Sequence, residues 1–265
     1  MRISFILALT LSVSLAFAAS PADLEKAIRA NSEEEVARVL KAGVNPNISL
    51  GYYELRPLVL AAGEGNLGIV KLLVERGADI EGVSTRPGDL TGTTALEHAA
   101  MRGNLAIVKY LLDQRARPGN SLYFATSGGH ASITSFLIRR GANVNATFHE
   151  NSVLFSSMQA NRYDIAEQLL KARAEVNWQD PQNKDTALHV AVRKSDIRSF
   201  KLLLKYGAKT KVKNKRGLDA LAVARQELKW LEGLKDINKR QDNRPVIIKS
   251  KDTLKQMIQI LKQQP

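Results

Sequence analysis

One pattern of residues recurs along nearly the whole chain, and it constrains the fold more than any other feature of the sequence. Its most regular copy begins with Thr186-Ala187-Leu188-His189 and continues through an apolar stripe to Gly207-Ala208. Other copies lie before and after it: the first clear pair is 38 residues apart, and the later copies are 32 to 34 residues apart. They start near Arg56, Thr94, Leu122 and Ser152, with weaker copies at Leu24 to Asn47 and from Gly217 to Leu221. Such a period predicts a solenoid in which each repeat contacts only its neighbours.

The residues of a single copy predict two short helices. In the copy that starts at Arg56, Leu58, Ala61 and Ala62 fall on one helical face, and the alanines are small enough to let a second helix approach. Gly65 then ends the first helix. The second helix has its own apolar stripe: Ile69, Val70, Leu72 and Leu73. Neither helix can bury its stripe alone, so each repeat needs its neighbours.

The pattern resembles the ankyrin repeat, and the resemblance covers residues 19–236. It implies an all-α solenoid of about six to seven helix–turn–helix repeats, each with a β-turn finger before its two antiparallel helices. In two copies the end of the second helix departs from the pattern, because Ala116 and Ala174 stand where a glycine is expected to end it.

The end of the chain departs from the repeat. Asp219 to Asp236 lacks the glycine break and predicts one long helix, whereas Ile237 to Ser250, with a proline in its middle, predicts a loop. Beyond it, apolar residues recur at helical spacing: Leu254, Met257, Ile258 and Leu261. We interpret residues 237–265 as a loop and a capping helix that covers the apolar end of the array.

Residues 1–18 have the pattern of a cleaved signal peptide. Arg2 precedes an uncharged run, and Ala16-Phe17-Ala18 matches a cleavage site, so we expect cleavage after Ala18. The run is shorter than the roughly 20 apolar residues that span a bilayer. We therefore expect the periplasm as the location. Secretion by a eukaryotic route is the alternative, because Asn47-Ile48-Ser49 and Asn145-Ala146-Thr147 match the glycosylation triplet.

The positive charge is confined to the second half of the chain. Residues 19–150 carry 14 basic and 14 acidic side chains, whereas residues 151–265 carry 24 and 12. The alternation of Lys209, Lys211, Lys213 and Lys215 puts four charges on one face of an extended segment. We therefore expect a partner protein with an acidic surface. Anionic lipid is the alternative, and nucleic acid is excluded by the expected location.

No pattern for catalysis, a metal or a cofactor is found. The ankyrin resemblance gives His130 and His189 structural roles, as histidines that hydrogen-bond the loops. His98 and His149 have no neighbour at metal-ligand spacing. The chain has no cysteine, no nucleophile elbow, no Walker loop and no dinucleotide fingerprint. We predict a protein that is not an enzyme and needs no cofactor.

The ankyrin resemblance places the binding residues on the finger tips and on the exposed face of each first helix. Aromatic residues and arginine dominate binding hot spots, which favours some of these positions. For Phe148 and Trp178 the alternative is packing between neighbouring fingers. The predicted protein-binding residues are Tyr52, Tyr53, His98, Met101, Arg102, Phe148, His149, Gln159, Trp178, Arg193, Lys194, Lys215 and Arg216.

These features predict a periplasmic scaffold, monomeric when free, that captures one protein and restrains or protects it. An immunity protein against a secreted antibacterial toxin, such as a phospholipase, is the first hypothesis. The alternatives are an accessory protein of oxidative-stress defence, and a membrane-peripheral envelope protein that uses its basic half. An enzyme with a site in the groove is a further alternative, because a fold by itself does not determine function.

Overall fold

The computed structural model describes residues 19–51, 54–84, 92–237 and 245–264. The predicted signal peptide, residues 1–18, lies outside the described residues, as do the predicted binding residues Tyr52 and Tyr53.

The described residues form helices that follow one another in pairs. The pairs are α1 (Pro21–Arg29) and α2 (Glu33–Lys41); α3 (Pro57–Glu64) and α4 (Leu67–Glu75); α5 (Ala95–Arg102) and α6 (Leu105–Asp113); α7 (Ser121–Gly128) and α8 (Ala131–Arg139); α9 (Val153–Gln159) and α10 (Tyr163–Lys171); α11 (Ala187–Arg193) and α12 (Ile197–Lys205); and α13 (Ala220–Ile237) and α14 (Pro245–Lys262). The predicted helical repeat solenoid is confirmed.

The helices stack in two layers. Each first helix contacts the first helix of the next pair, from α1 to α13, and each second helix contacts the next second helix, from α2 to α14. A leucine at the same position of five first helices is at most 2% exposed: Leu58, Leu96, Leu122, Leu154 and Leu188. The core is therefore one continuous apolar strip along the array, as a one-dimensional repeat protein requires.

Glycine and asparagine separate the two helices of a repeat. Gly65 ends α3 in the left-handed region, at φ 91°. Glycine tolerates this conformation because it has no Cβ. Asn66 then caps α4, and its side-chain oxygen accepts a hydrogen bond from the Ile69 amide at 3.1 Å. The helix break predicted at this place is confirmed.

The turn after the second helix corrects one prediction. In most repeats a glycine has positive φ there, as Gly77 does at 85°. Arg115 and Arg173 take that conformation in their repeats, with φ of 67° and 66°. Ala116 and Ala174 are the next residues, and both are buried. The prediction that these alanines replace the glycine is therefore wrong by one residue, since arginine itself adopts the left-handed conformation.

The last two helices close the array. α13 runs without a break, as predicted, but α14 begins at Pro245, so the loop predicted up to Ser250 is too long. Proline suits the first turn of a helix because its missing amide has no partner there in any case. α14 contacts α12 and α13. Among the side chains of α14 that the structure describes, Leu254, Met257 and Leu261 are buried. They cover apolar surface at the end of the stack.

The fingers contain the only β-structure of the described residues. In the fifth repeat, β1 (Thr147–Phe148) pairs antiparallel with β2 (Asn151–Ser152). Three other fingers have a single antiparallel bridge each: Leu50 with Leu55, Ser84 with Thr93 and Gln179 with Thr186. Among the described helices, none combines the length and the apolar character needed to cross a bilayer.

Candidate protein-binding surface

Two adjoining cavities lie where the fingers of the last repeats meet the first helices. One, of about 290 Å³, lies between the sixth finger and α9, where Phe155 and Gln159 line it. The other, of about 360 Å³, lies between the sixth and seventh fingers and α13. Asn183, Asp185 and Arg193 line both cavities. We call the pair of cavities the finger groove.

Asp185 and Arg193 form the junction of the finger groove. The Asp185 carboxylate is buried and accepts hydrogen bonds from the Arg193 guanidinium at 2.6 Å and from the Asn214 amide at 3.0 Å. Burial alone would raise the pKa of Asp185, but these two hydrogen bonds outweigh it and hold the pKa below its ordinary value of 3.8. The carboxylate thus stays ionised and fixes a guanidinium whose side chain is 39% exposed.

Lys194 and Gln159 lie next to each other. The Lys194 ammonium donates hydrogen bonds to the carbonyl oxygens of Met158 and Gln159 and, at 3.0 Å, to the side chain of Asn161. Both Lys194 and Gln159 are exposed. Lys194 therefore ties the sixth repeat to the end of α9, and its charge lies beside the finger groove.

The seventh finger presents the predicted row of lysines. Lys209, Lys211, Lys213 and Lys215 are exposed, whereas Thr210 and Asn214 between them are buried. This alternation is the one that the spacing predicted. Lys215 is fixed through its backbone amide, which donates to the Asn183 carbonyl at 2.7 Å. Its side chain remains exposed at the rim of the groove.

Arg216 follows this row and joins the finger to α13. Its guanidinium donates a hydrogen bond to the side-chain oxygen of Gln226 at 3.2 Å. Its backbone amide donates to the Asn214 side chain at 3.0 Å. Since Asn214 also bonds to Asp185, one chain of hydrogen bonds holds Arg193 and Arg216 at the same cavity.

The predicted aromatic residues of the fifth and sixth fingers are half-buried, with His149 exposed beside them. Phe148 lies 5.0 Å from the rings of both Tyr123 and Phe124, and 4.2 Å from His149. Trp178 packs edge-on against Phe155 at 5.3 Å. These contacts hold the fingers against the first helices. Phe155 lines the finger groove, so the half-exposed Trp178 that packs on it lies next to the groove.

The predicted residues on α5 lie away from the finger groove. His98 is half-buried, and its Nδ1 lies 3.0 Å from the Val59 carbonyl oxygen in α3. The Met101 carbonyl oxygen lies 2.9 Å from Nε2 of His130. Arg102 is exposed. His98 and Met101 therefore contribute to the contact between repeats, and the structure does not bring the α5 residues together with Arg193, Lys194 and the seventh finger.

The predicted role of His189, a histidine that hydrogen-bonds the loops, is confirmed, whereas the Nε2 of His130 lies against a helix carbonyl, that of Met101 in α5. His189 is buried, and its Nδ1 accepts a hydrogen bond from the Thr186 amide at 3.1 Å. Nε2 therefore carries the proton and donates to the Leu218 carbonyl in the next finger at 3.0 Å. Burial lowers the pKa of His189. The ring is thus neutral and joins the sixth repeat to the seventh.

Trp230 was missed by the sequence reasoning. It lies on α13 and is 61% exposed. Helical spacing gave no signal for this exposure, because Trp230 follows the buried Val223 by seven residues and so shares its face of the helix. Within the described residues, no group of three or more His, Cys, Asp or Glu side chains could hold a metal ion.

Comparisons with known proteins agree with this geometry. The family model described as ankyrin repeats (3 copies) matches residues 24–121 and 158–241, and the single ankyrin-repeat model matches residues 119–147. The Ankyrin repeat and KH domain-containing protein mask-1 of Caenorhabditis elegans is 29% identical over 178 residues, which are 64% of this chain and 6% of that protein. The chain thus corresponds to a small part of this relative.

Solved structures give the same assignment. The human ASB11 ankyrin repeat domain superposes with a TM-score of 0.65 at 27% identity, over 76% of this chain and 91% of that domain. The ankyrin repeat domain of Bcl-3 gives a TM-score of 0.65 at 24% identity, over 80% and 98% of the two chains, and supports the fold alone. Ankyrin repeats are a scaffold for binding other proteins. Paired helices, finger turns, inter-repeat histidines and family models agree, and the chain belongs to the ankyrin-repeat family.

Proposed function

We propose that the chain is an exported, non-catalytic scaffold that captures a protein with an acidic surface and restrains or protects it. The observation that carries the proposal is the finger groove with its basic rim. Between residues 184 and 216 the chain has 11 basic and 2 acidic side chains. One of the two acidic groups, Asp185, is buried against Arg193. The exposed charge here is positive and complements an acidic partner.

The proposed export depends on residues 1–18, whose pattern is that of a cleaved signal peptide. We place the mature chain in the periplasm, with a secreted location as the alternative. Intact-mass analysis of the protein from a periplasmic fraction tests this directly. A mass that starts at Ala19 supports export with cleavage, and a retained Met1 contradicts it.

Capture of the partner is tested with the mature chain as bait in a periplasmic extract, followed by mass spectrometry and surface plasmon resonance. The test variant reverses Lys211, Lys213 and Lys215 to glutamate, because these side chains are exposed and alternate with half-buried Val212 and buried Asn214. A matched control reverses three exposed residues of second helices: Lys41, Lys109 and Arg139. Both variants change the net charge equally.

We expect the finger variant alone to bind the partner with a slower association rate, and that rate to depend less on salt concentration. The reason is that charges steer the partner only through the local field, since salt screens charges over ~10 Å at 0.1 M. Equal slowing in both variants would mean that total charge steers the partner and this surface does not. Binding to phosphatidylglycerol vesicles without capture of any protein would favour the membrane-peripheral function, which the exposed lysine row also supports.

Within this function we propose restraint of a secreted toxin, such as a phospholipase, as the role of the complex. Its support is the polarised charge, which suits fast and tight capture of one acidic protein. The role is tested by adding the chain to the captured partner and measuring that partner's enzymatic activity. Inhibition supports an immunity function, and full activity contradicts it. A toxin gene or a catalase gene beside the coding sequence separates immunity from oxidative-stress defence.

A further inference from the structure

A single large aromatic side chain stands out on the last repeat. Among the described residues, the exposed large hydrophobic side chains are Val83, at 44%, and Trp230, at 61%. α13 buries Val223 and Ala224 on its inner side, and Leu231 is buried beside Trp230. Trp230 therefore adds little to the core of this repeat. A lone exposed apolar residue carries no argument by itself, so its surroundings decide its meaning.

Trp230 lies on the same face of α13 as the groove. Gln226 precedes it by one helical turn, which places the two side chains about 6 Å apart along the axis. Gln226 lines the cavity of about 360 Å³ and accepts the hydrogen bond from Arg216. Trp230 is not among the residues that line this cavity; it lies one helical turn beyond Gln226, on the face of α13 that does.

The charges around this cavity do not balance. Arg193, Lys215 and Arg216 line it, together with the carboxylates of Asp185 and Glu227. Asp185 is already held by Arg193 and Asn214. Arg216 is held in place by neutral Gln226, and Lys215 is exposed at the rim. The cavity therefore has more cations than available carboxylates, next to an exposed indole.

From this arrangement we infer that Lys215 and Arg216, the cavity that they line and Trp230 one turn beyond Gln226 bind an acidic segment of the partner protein. A carboxylate of the segment pairs with Arg216 and Lys215, and an apolar side chain beside it packs on Trp230. Arginine matches the two oxygens of a carboxylate, and tryptophan is enriched in binding hot spots. The cavity favours a peptide chain over a flat membrane, because a side chain can enter it. This inference rests on the proposed function and locates its contact.

The probes are two short synthetic peptides, one of alternating glutamate and leucine and one of alternating glutamine and leucine. The chain has two tryptophans. A Trp178→Phe variant keeps an aromatic ring against Phe155 and leaves Trp230 as the only indole. We expect the glutamate peptide to shift the fluorescence of this variant to shorter wavelength, because the indole leaves water. The glutamine peptide should cause no shift at the same concentration.

Affinity is measured by the anisotropy of the labelled glutamate peptide. Trp230→Ala should weaken binding about tenfold or more, the usual effect at a hot spot, and Lys215→Glu with Arg216→Glu should do the same. Two controls should bind as the wild type does: Val83→Ala, which changes the other exposed apolar residue, and Lys109→Glu with Arg139→Glu, which reverses two charges on second helices.

Equal binding of the two peptides, or unchanged affinity of Trp230→Ala, overturns the inference. A fluorescence shift with phosphatidylglycerol vesicles and none with the glutamate peptide also overturns it, and assigns the indole to a membrane contact. A captured partner that binds the Trp230 and Arg216 variants at full affinity removes this site and leaves the scaffold function intact. Failure to capture any partner, while the glutamate peptide binds as expected, removes the proposed function and leaves the site.

Discussion

Truncation of Leu188 tests the continuity of the core. Leu188 is 1% exposed and lies on α11, which contacts α9, α12 and α13. Leu188→Ala removes about three carbon groups at about 0.8 kcal/mol each, or about 2.4 kcal/mol of lost burial. Helices on three sides limit collapse into the space, and the cavity then adds to the cost. We expect a loss of about 2–5 kcal/mol in the free energy of unfolding.

Urea denaturation, followed by circular dichroism and by tryptophan fluorescence, measures this loss. The two tryptophans flank α11, because Trp178 precedes it and Trp230 lies on α13. The fluorescence transition therefore reports the repeats next to the substitution. Val83→Ala is the control, with an expected change within about 0.5 kcal/mol because the side chain is exposed. A loss below about 1 kcal/mol for Leu188→Ala would refute the assigned repeat register, because replacing a buried leucine by alanine usually costs about 2–5 kcal/mol.

Three further predictions concern single positions. Arg115→Gly should stabilise the protein by about 0.5–1 kcal/mol, because it relieves a left-handed arginine (φ 67°), whereas Lys109→Gly inside α6 should cost about 1 kcal/mol. Thr134→Val should stabilise the protein by about 1 kcal/mol, because the buried hydroxyl has no hydrogen-bond partner in the described residues. Thr186→Val should destabilise the protein by a similar amount, because it removes the hydrogen bond between Thr186 and His189. Urea midpoints that move the other way would contradict either pair. Burial lowers the pKa of His189 below 6.5, so on acidification the imidazole of the unfolded chain binds a proton at a higher pH than that of the folded chain. The contribution of neutral His189 to stability is therefore full above pH 6.5 and falls as the pH drops towards the folded-state pKa. Urea midpoints measured across this range should show that fall, and His189→Gln should flatten it.

Much of the fold could be predicted from the sequence because an ankyrin repeat is specified locally. Gly65 and Asn66 end one helix and begin the next within a few residues, and the apolar stripes follow helical spacing. The errors occurred where local identity was misleading. Arg115 takes a conformation that glycine usually takes, and Pro245 starts a helix inside a segment whose proline indicated a loop.

The sequence by itself determined the repeat, its register and the basic character of the second half, because all three depend on short-range spacing and counts. The role of His189 came from the resemblance to the ankyrin repeat. Only the tertiary structure decided which exposed residues share a surface. It separates His98 on α5 from the finger groove. It also brings Arg216 into contact with Gln226 on α13, and Trp230 lies one helical turn beyond Gln226. The physical reason is that the stacking of helices and fingers sets these distances, and residues far apart in sequence become neighbours only after the whole core is buried.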